Sequence, residues 1–306
     1  MKERSILQYF FITLKGLAMG AADVVPGVSG GTIAFISGIY EELIETINNV
    51  NFSLFKTLKE EGFKVMWTKL NGNFLVALFL GIGISVLSLA KGISWLLENH
   101  PVLVWSFFFG LVVASIIIIA KSIEKWNAAA IIGLILGAVV AYYITTLPVS
   151  DNSASLPFLF LSGALAICAM ILPGISGAFI LVLLGSYKTI LDAVHSYDIK
   201  TIAIVGAGAI FGLLSFARLL KWMFHHQKNL TLAVLTGFIL GSLAKIWPWK
   251  TVLKTKVFGD KIIPVVEQNV SPFSFNGDNQ LLAAVLLAVL GFSLIFILEK
   301  VASKNK

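Results

Sequence analysis

The chain has 306 residues, of which 58% are hydrophobic and only 13% charged, and its mean hydropathy is +0.91. That balance excludes an ordinary soluble domain, which has too little interior to hide so much apolar surface, and points to a polytopic membrane protein. The net charge of +7 is carried by lysines and arginines clustered beside apolar spans, as the positive-inside rule requires, so no nucleic-acid partner is expected.

Met1 to Leu14 has the basic start and apolar core of a signal peptide. The same pattern recurs internally from Gly163, where no signal peptidase acts, so the segment is expected to be retained. A first helical hairpin is predicted over residues 5–47. At its centre Pro26-Gly-Val-Ser-Gly30 interrupts apolar sequence, which reads as helix, sharp turn, helix. Lys56, Lys59, Lys64 and Lys69, set against Glu60 and Glu61, mark a cytoplasmic loop with a short amphipathic helix. Spans are predicted over residues 74–97, 102–120 and 128–147, long enough to cross at ~1.5 Å per residue. A second hairpin follows over residues 156–194 around Pro173-Gly-Ile-Ser-Gly177, then spans over 201–223, 230–247 and 280–298. Residues 248–279 form an extracytoplasmic loop, in which Lys256-Val-Phe-Gly-Asp-Lys-Ile-Ile263 reads as a small β-hairpin.

The two hairpins are copies of one motif, Pro-Gly-x-Ser-Gly with Gly-x-Tyr following at the same gap. A shift of 147 residues superposes Gly16 on Gly163, Ser29 on Ser176, Gly38 on Gly185 and Tyr40 on Tyr187. Beyond the longer first-half loop, a shift of 127 superposes Lys91 on Arg218, Trp95 on Trp222 and Gly110 on Gly237. The chain therefore reads as one transmembrane domain of two repeats, residues 1–148 and 149–306. A hairpin crosses the bilayer zero times or twice and three spans follow it, so each half crosses an odd number of times. Two such halves face opposite ways, the inverted-repeat plan of secondary transporters. The second hairpin's arms, of about 16 residues, reach about 24 Å, short of a ~30 Å hydrocarbon core, so the hairpins are expected to be re-entrant. The expected fold is an all-α polytopic membrane protein with two inverted-topology repeats, each a re-entrant hairpin plus three transmembrane helices. Both termini are then cytoplasmic, with Arg4, Lys121, Lys125, Lys221 and Lys228. Lys250, Lys254, Lys256 and Lys261 fall outside, either because longer loops obey the charge rule poorly or because a basic outer surface attracts an anion.

A backbone break at mid-bilayer must be buried in protein or line a cavity. A helical arm starting there presents unpaired N–H groups to an anion. Gly27, Ser29 and Gly30, with Gly174, Ser176 and Gly177, are thus the candidate substrate-binding tips; the plainer reading of either tip is a tight turn with a serine cap. Lys91 and Arg218 occupy matching places inside apolar spans and are candidate phosphate ligands unless they snorkel to an interface. Asp23, three residues before the first proline, is a candidate proton carrier or ion-pair partner, for example of Lys91, with helix capping as the structural alternative. Tyr40 and Tyr187 are secondary candidates for a bond across the interface, though anchoring at the membrane surface is the favoured reading, and the seven tryptophans fit aromatic belts. Glu41, Glu42 and Glu45 read as a surface cluster facing the Lys56 loop, and His225 and His226 as solvated. No metal-binding cluster, nucleotide loop or serine nucleophile with a histidine base is apparent, so no metal, no cofactor and no enzymatic activity are expected. The single Cys168 allows no intramolecular disulfide.

Ala22-Asp-Val-Val-Pro-Gly-Val-Ser-Gly-Gly-Thr32 with Gly38-Ile-Tyr-Glu41, and Ile171-Leu-Pro-Gly-Ile-Ser-Gly-Ala-Phe179 continuing to Tyr187, resemble the motifs of the bacterial polyprenyl-phosphate transporter family. The resemblance implies a multi-pass plasma-membrane carrier that returns undecaprenyl phosphate from the outer to the inner leaflet for reuse in envelope synthesis. Its partners would be that lipid and the surrounding membrane lipids, with a homo-oligomer left open. Composition and spacing alone reach only an inverted-repeat carrier for an anion. Membrane undecaprenyl-diphosphate phosphatases share inverted hairpins and a Pro-Gly-x-Ser motif, but carry an arginine where Gly177 stands and several glutamates where only Asp23 is acidic. A small-anion carrier is the third reading.

Overall fold

The computed structural model describes residues 4–25, 28–147, 149, 155–258 and 261–304. The first half runs α1 (Ile6–Val24), α2 (Gly30–Ile36), α3 (Tyr40–Asn49), α4 (Phe52–Glu60), α5 (Phe63–Leu70), α6 (Gly72–Asn99), α7 (Pro101–Lys121) and α8 (Ala128–Thr146). The second runs α9 (Leu156–Ile171), α10 (Gly177–Leu183), α11 (Tyr187–His195), α12 (Ile199–His226), α13 (Lys228–Ser242), strands β1 (Lys250–Phe258) and β2 (Lys261–Asn269), and α14 (Leu281–Lys304). Among the described residues α6, α7, α8 and α12 are long and apolar enough to cross a bilayer, and α10 with α11 makes a fifth if the bent pair counts as one span. The chain is a mostly helical, multi-pass membrane protein.

The repeat seen in the sequence recurs in the elements. Shifted by 147 residues, α2 coincides with α10 end to end; shifted by 127, α6 coincides with α12, each of 28 residues. In both halves the first helix lies along the long one, α1 on α6 and α9 on α12, while the middle span of each half packs on the last span of the other, α7 on α14 and α13 on α8. Small residues let these backbones touch. Gly133 and Gly137 of α8 rest on Leu230 and Val234 of α13, Gly237 and Gly241 of α13 rest on Leu134 and Ala138 of α8, and a Cβ on Gly237 would run into the carbonyl of Leu134.

Several sequence-based expectations need correction. The second arm of each hairpin is not one rod: α2 and α10 have seven residues each, about 10 Å. The chain then breaks at Gly38 (φ 73°) and Gly185 (φ 71°), positions only glycine takes without strain. Past the second break α11 turns away from α10 by 108°. Helix α13 ends at Ser242, short of the expected 247, because the tryptophans beyond it turn inward rather than into a belt. Trp247 Nε1 donates to the Val270 carbonyl and Trp249 Nε1 to that of Asn279, both at 2.9 Å, and Trp105 and Trp249 are buried. The two strands pair antiparallel from Lys250↔Asn269 to Phe258↔Lys261, a longer hairpin than the eight-residue centre suggested. Glu42 meets Arg4 through two bonds of 2.7 Å, and Glu41 meets Lys228 at 3.3 Å, so neither pairs with the Lys56 loop.

The halves differ in how the helix after each break packs. Helix α3 packs along α12, with Asn48 Nδ2 donating to the Ala217 carbonyl at 2.8 Å and the rings of Tyr40 and Phe224 6.0 Å apart. The repeat mates of these elements, α11 and α6, make no comparable packing.

Gly237→Ala is expected to force α8 and α13 apart and cost about 1–3 kcal/mol, the usual range for overpacking. Gly83→Ala, where a Cβ meets open space, should be neutral; thermal unfolding in detergent compares the two.

Candidate functional site, where the hairpins meet

The first hairpin closes on itself before it touches the second. Asp23, at the end of α1, accepts a hydrogen bond of 2.6 Å from the Gly30 N–H at the start of α2. Ser29 caps the same helix by accepting from Gly31 N–H at 3.1 Å. Both side chains satisfy N–H groups that a helix start leaves unpaired. The capping alternative for Asp23 is thus the one with a contact, and no ion pair of Asp23 with Lys91 or another cation occurs among the described residues. At the other end of the arm, Lys15 Nζ donates to the Ser37 carbonyl at 2.7 Å, tying α1 to the end of α2. The second hairpin makes the equivalent tie with two hydroxyls, Ser162 and Ser186, 2.8 Å apart.

The two tips are in contact. The Ser29 hydroxyl, 1% exposed, donates to the Met170 carbonyl at 3.1 Å, where α9 ends. In return Thr32, also 1% exposed, accepts from the Gly174 N–H at 2.8 Å. Gly174 has a φ of +89°, which supplies the turn of hairpin two, and a Cβ there would meet Ser242 Oγ at 2.7 Å. Gly31 allows the same closeness on the other side: its Cβ would lie 2.6 Å from the Ile171 carbonyl and 2.9 Å from that of Met170. The approach is therefore set by backbone against backbone, and two hydroxyls join what the breaks leave unpaired.

The sequence-predicted site residues divide. Ser29, Gly30 and Gly174 are buried at the junction. Gly27, with Pro26, lies outside the described residues. Ser176 and Gly177 are half-buried beside it, and Ser176, unlike Ser29, makes no capping bond at its helix. Lys91 and Arg218 lie eight residues before the ends of α6 and α12, exposed, with neither a hydrogen bond nor an ion pair among the described residues. Tyr40 is no surface anchor: it is 1% exposed, wedged between Phe35 and Phe224, and its hydroxyl finds no partner among the described residues. Tyr187 is half-buried. Thr32 and Lys15 were missed. A threonine three residues after the capping serine, and a lysine in an apolar arm, were the available signals.

Thr32→Val keeps the shape of the side chain but leaves the buried Gly174 N–H without an acceptor. It is expected to cost about 1–3 kcal/mol, read as a lowered thermal midpoint in detergent, with Thr32→Ser close to the unmodified protein.

Comparison with known proteins identifies relatives of the chain. A family model described as VCA0040-like, undecaprenyl phosphate translocase-like, matches residues 19–261. A polyprenyl-phosphate transporter of Vibrio cholerae serotype O1 is 46% identical over 303 residues, covering 97% of this chain and 98% of that protein. A polyprenyl-phosphate transporter of Staphylococcus aureus is 29% identical over 253 residues, covering 77% and 85%. No solved structure matches. With most of its length matched by the family model and nearly all of it by the Vibrio protein, the chain belongs to the undecaprenyl phosphate translocase-like family.

Proposed function

We propose that this protein is a lipid carrier that moves undecaprenyl phosphate between the leaflets of the bacterial plasma membrane, with the phosphate taken up at the junction of the two hairpins. The observation that carries this reading is the reciprocal contact of the tips, in which Ser29 meets the Met170 carbonyl and Thr32 the Gly174 N–H. Polar backbone in hydrocarbon is tolerated only where protein or a cavity receives it, and a head group arriving there finds hydroxyls and peptide nitrogens in place of water. The isoprenoid tail stays in lipid throughout, so only the phosphate needs a protein-lined path. The named activity of the relatives supplies the substrate.

The carrier works by alternating access between two inverted halves. Odd numbers of crossings in each half support the inversion. The packing of α3 on α12, absent between their repeat mates α11 and α6, supports a state closed on one side and open on the other. Exchange of roles between the repeats then produces the opposite state. The repeat mates of Asn48 and Ala217 are His195 and Ala90 under the two shifts. Asp23, which ties Gly30 to α1, is the group whose protonation would release that N–H and couple a proton to the cycle.

Three outcomes are expected. Purified protein in proteoliposomes moves labelled undecaprenyl phosphate between leaflets, Ser29→Ala and Ser176→Ala slow it at least tenfold, and small inorganic anions alone do not cross; flux of such ions without lipid would instead favour an anion carrier. In a Cys168→Ser background, a disulfide between Asn48→Cys and Ala217→Cys arrests transport until reduced, and Ala90→Cys with His195→Cys also cross-links, in the other state. Failure of the second pair to form under turnover would sink the exchange of roles. Asp23→Asn flattens the dependence of transport on pH, and an unchanged profile removes Asp23 from proton coupling.

A further inference from the structure

The stretch between α13 and β1 carries a cation that the mechanism above does not use. Ser242, Phe238 and Ile239 form the wall against which the Gly174 turn of hairpin two rests. The chain continues from Ser242 in a tight turn, Lys245 N–H donating to the Ser242 carbonyl at 2.9 Å. Lys245 therefore lies about one turn past Ser242, the residue on which the Gly174 turn rests. Its ammonium stands 5.1 Å above the ring of Phe179, the third residue of α10, so it faces the returning arm of hairpin two. Glu267 of β2 holds it at 2.8 Å, and the two side chains are only 19% and 18% exposed.

A second lysine braces the pair. Lys250 Nζ donates to the Lys245 carbonyl at 2.6 Å, lies 3.8 Å over the Trp105 ring and stands 3.9 Å from Glu267, with its side chain 7% exposed. Burial pushes the Lys250 ammonium down to about 8, against the pull of Glu267. Burial alone would raise the Glu267 carboxyl, yet Lys250 and Lys245 together hold it below the usual carboxylate range. Two ammonium groups thus share one carboxylate beside hairpin two.

We propose that Lys245 is a phosphate ligand of the carrier, exchanging Glu267 for the head group of the lipid while Lys250 keeps Glu267 in place. The proposal rests on the polyprenyl-phosphate reading above and names a cation beside hairpin two. A phosphomonoester carries more negative charge than a carboxylate and more acceptor oxygens, so it competes for an ammonium already stripped of water by Phe179 and the strand. Glu267 has Lys250 to fall back on when Lys245 leaves, so the exchange strands no buried charge. An ion pair that served only to fasten the β-hairpin would need neither the second lysine nor the contact with α10.

The two partners should then act in opposite directions on affinity. Binding of undecaprenyl phosphate to the full chain in detergent is read by quenching of tryptophan fluorescence, Trp247 and Trp249 being close by. Lys245→Ala should weaken binding by about tenfold, the effect of one charge-assisted contact. Glu267→Gln, which removes the competitor, should tighten it. Lys245→Met keeps the stem over Phe179 and repeats the measurement if the alanine variant does not fold. Undecaprenol, which lacks the phosphate, should bind all variants alike, and inorganic phosphate should compete only weakly. Equal affinity in all variants, or weakening by both Lys245→Ala and Glu267→Gln as a structural latch predicts, overturns the assignment. Since binding is read without transport, absence of leaflet exchange in proteoliposomes bears on the carrier reading alone.

Discussion

Inside a bilayer an interrupted helix has no water to turn to, and the groups freed at the break must be met by protein. In this chain each of the two breaks supplies what the other lacks. Thr32 of the first hairpin accepts the Gly174 N–H of the second, and Ser29 of the first donates to the Met170 carbonyl at the end of the second's leading arm. Glycines at 31 and 174 make the approach close enough for both bonds. Neither hairpin is complete alone, which fixes the relation between the halves at the centre of the molecule and leaves their outer helices to adjust around it.

Around that junction the helices are held by shape. Hydrocarbon gives apolar helices no reason to leave lipid for one another, so association depends on close contact. The glycines of α8 and α13 supply it, as do Gly110 and Gly291, whose Cβ atoms would strike Ala288 and Phe107. Charge joins segments distant in the chain where Arg4 meets Glu42 and Lys228 meets Glu41. Both pairs fasten the start of α3, the helix that lies on α12 in one half and has no counterpart contact in the other.

Much of this was legible in the sequence, because a repeated helix breaker is a strong and local signal. The shift that superposed the two Pro-Gly-x-Ser-Gly motifs also superposes α2 on α10, and the second shift superposes α6 on α12. What failed was the facing of side chains. A helix apolar on all sides gives no periodicity from which to tell cavity from lipid, so only their matching places in the repeat single out Lys91 and Arg218, both of them exposed. The same uniformity carried the span of α13 past Ser242 and hid Lys245 in what read as membrane sequence. Tyr40 was misjudged for the converse reason: tyrosine is common at interfaces, and only the fold shows Phe35 and Phe224 enclosing it.

That enclosed phenol has a consequence for the energy surface of the molecule. A buried hydroxyl without a partner forfeits about 1–3 kcal/mol of hydration, and here, among the described residues, the loss falls on a helix contact that the two halves do not share. Parting α3 from α12 would wet the Tyr40 oxygen and return that energy. The arrangement seen is thereby kept from lying in too deep a well, and the contact between α3 and α12 is the cheaper to part for it.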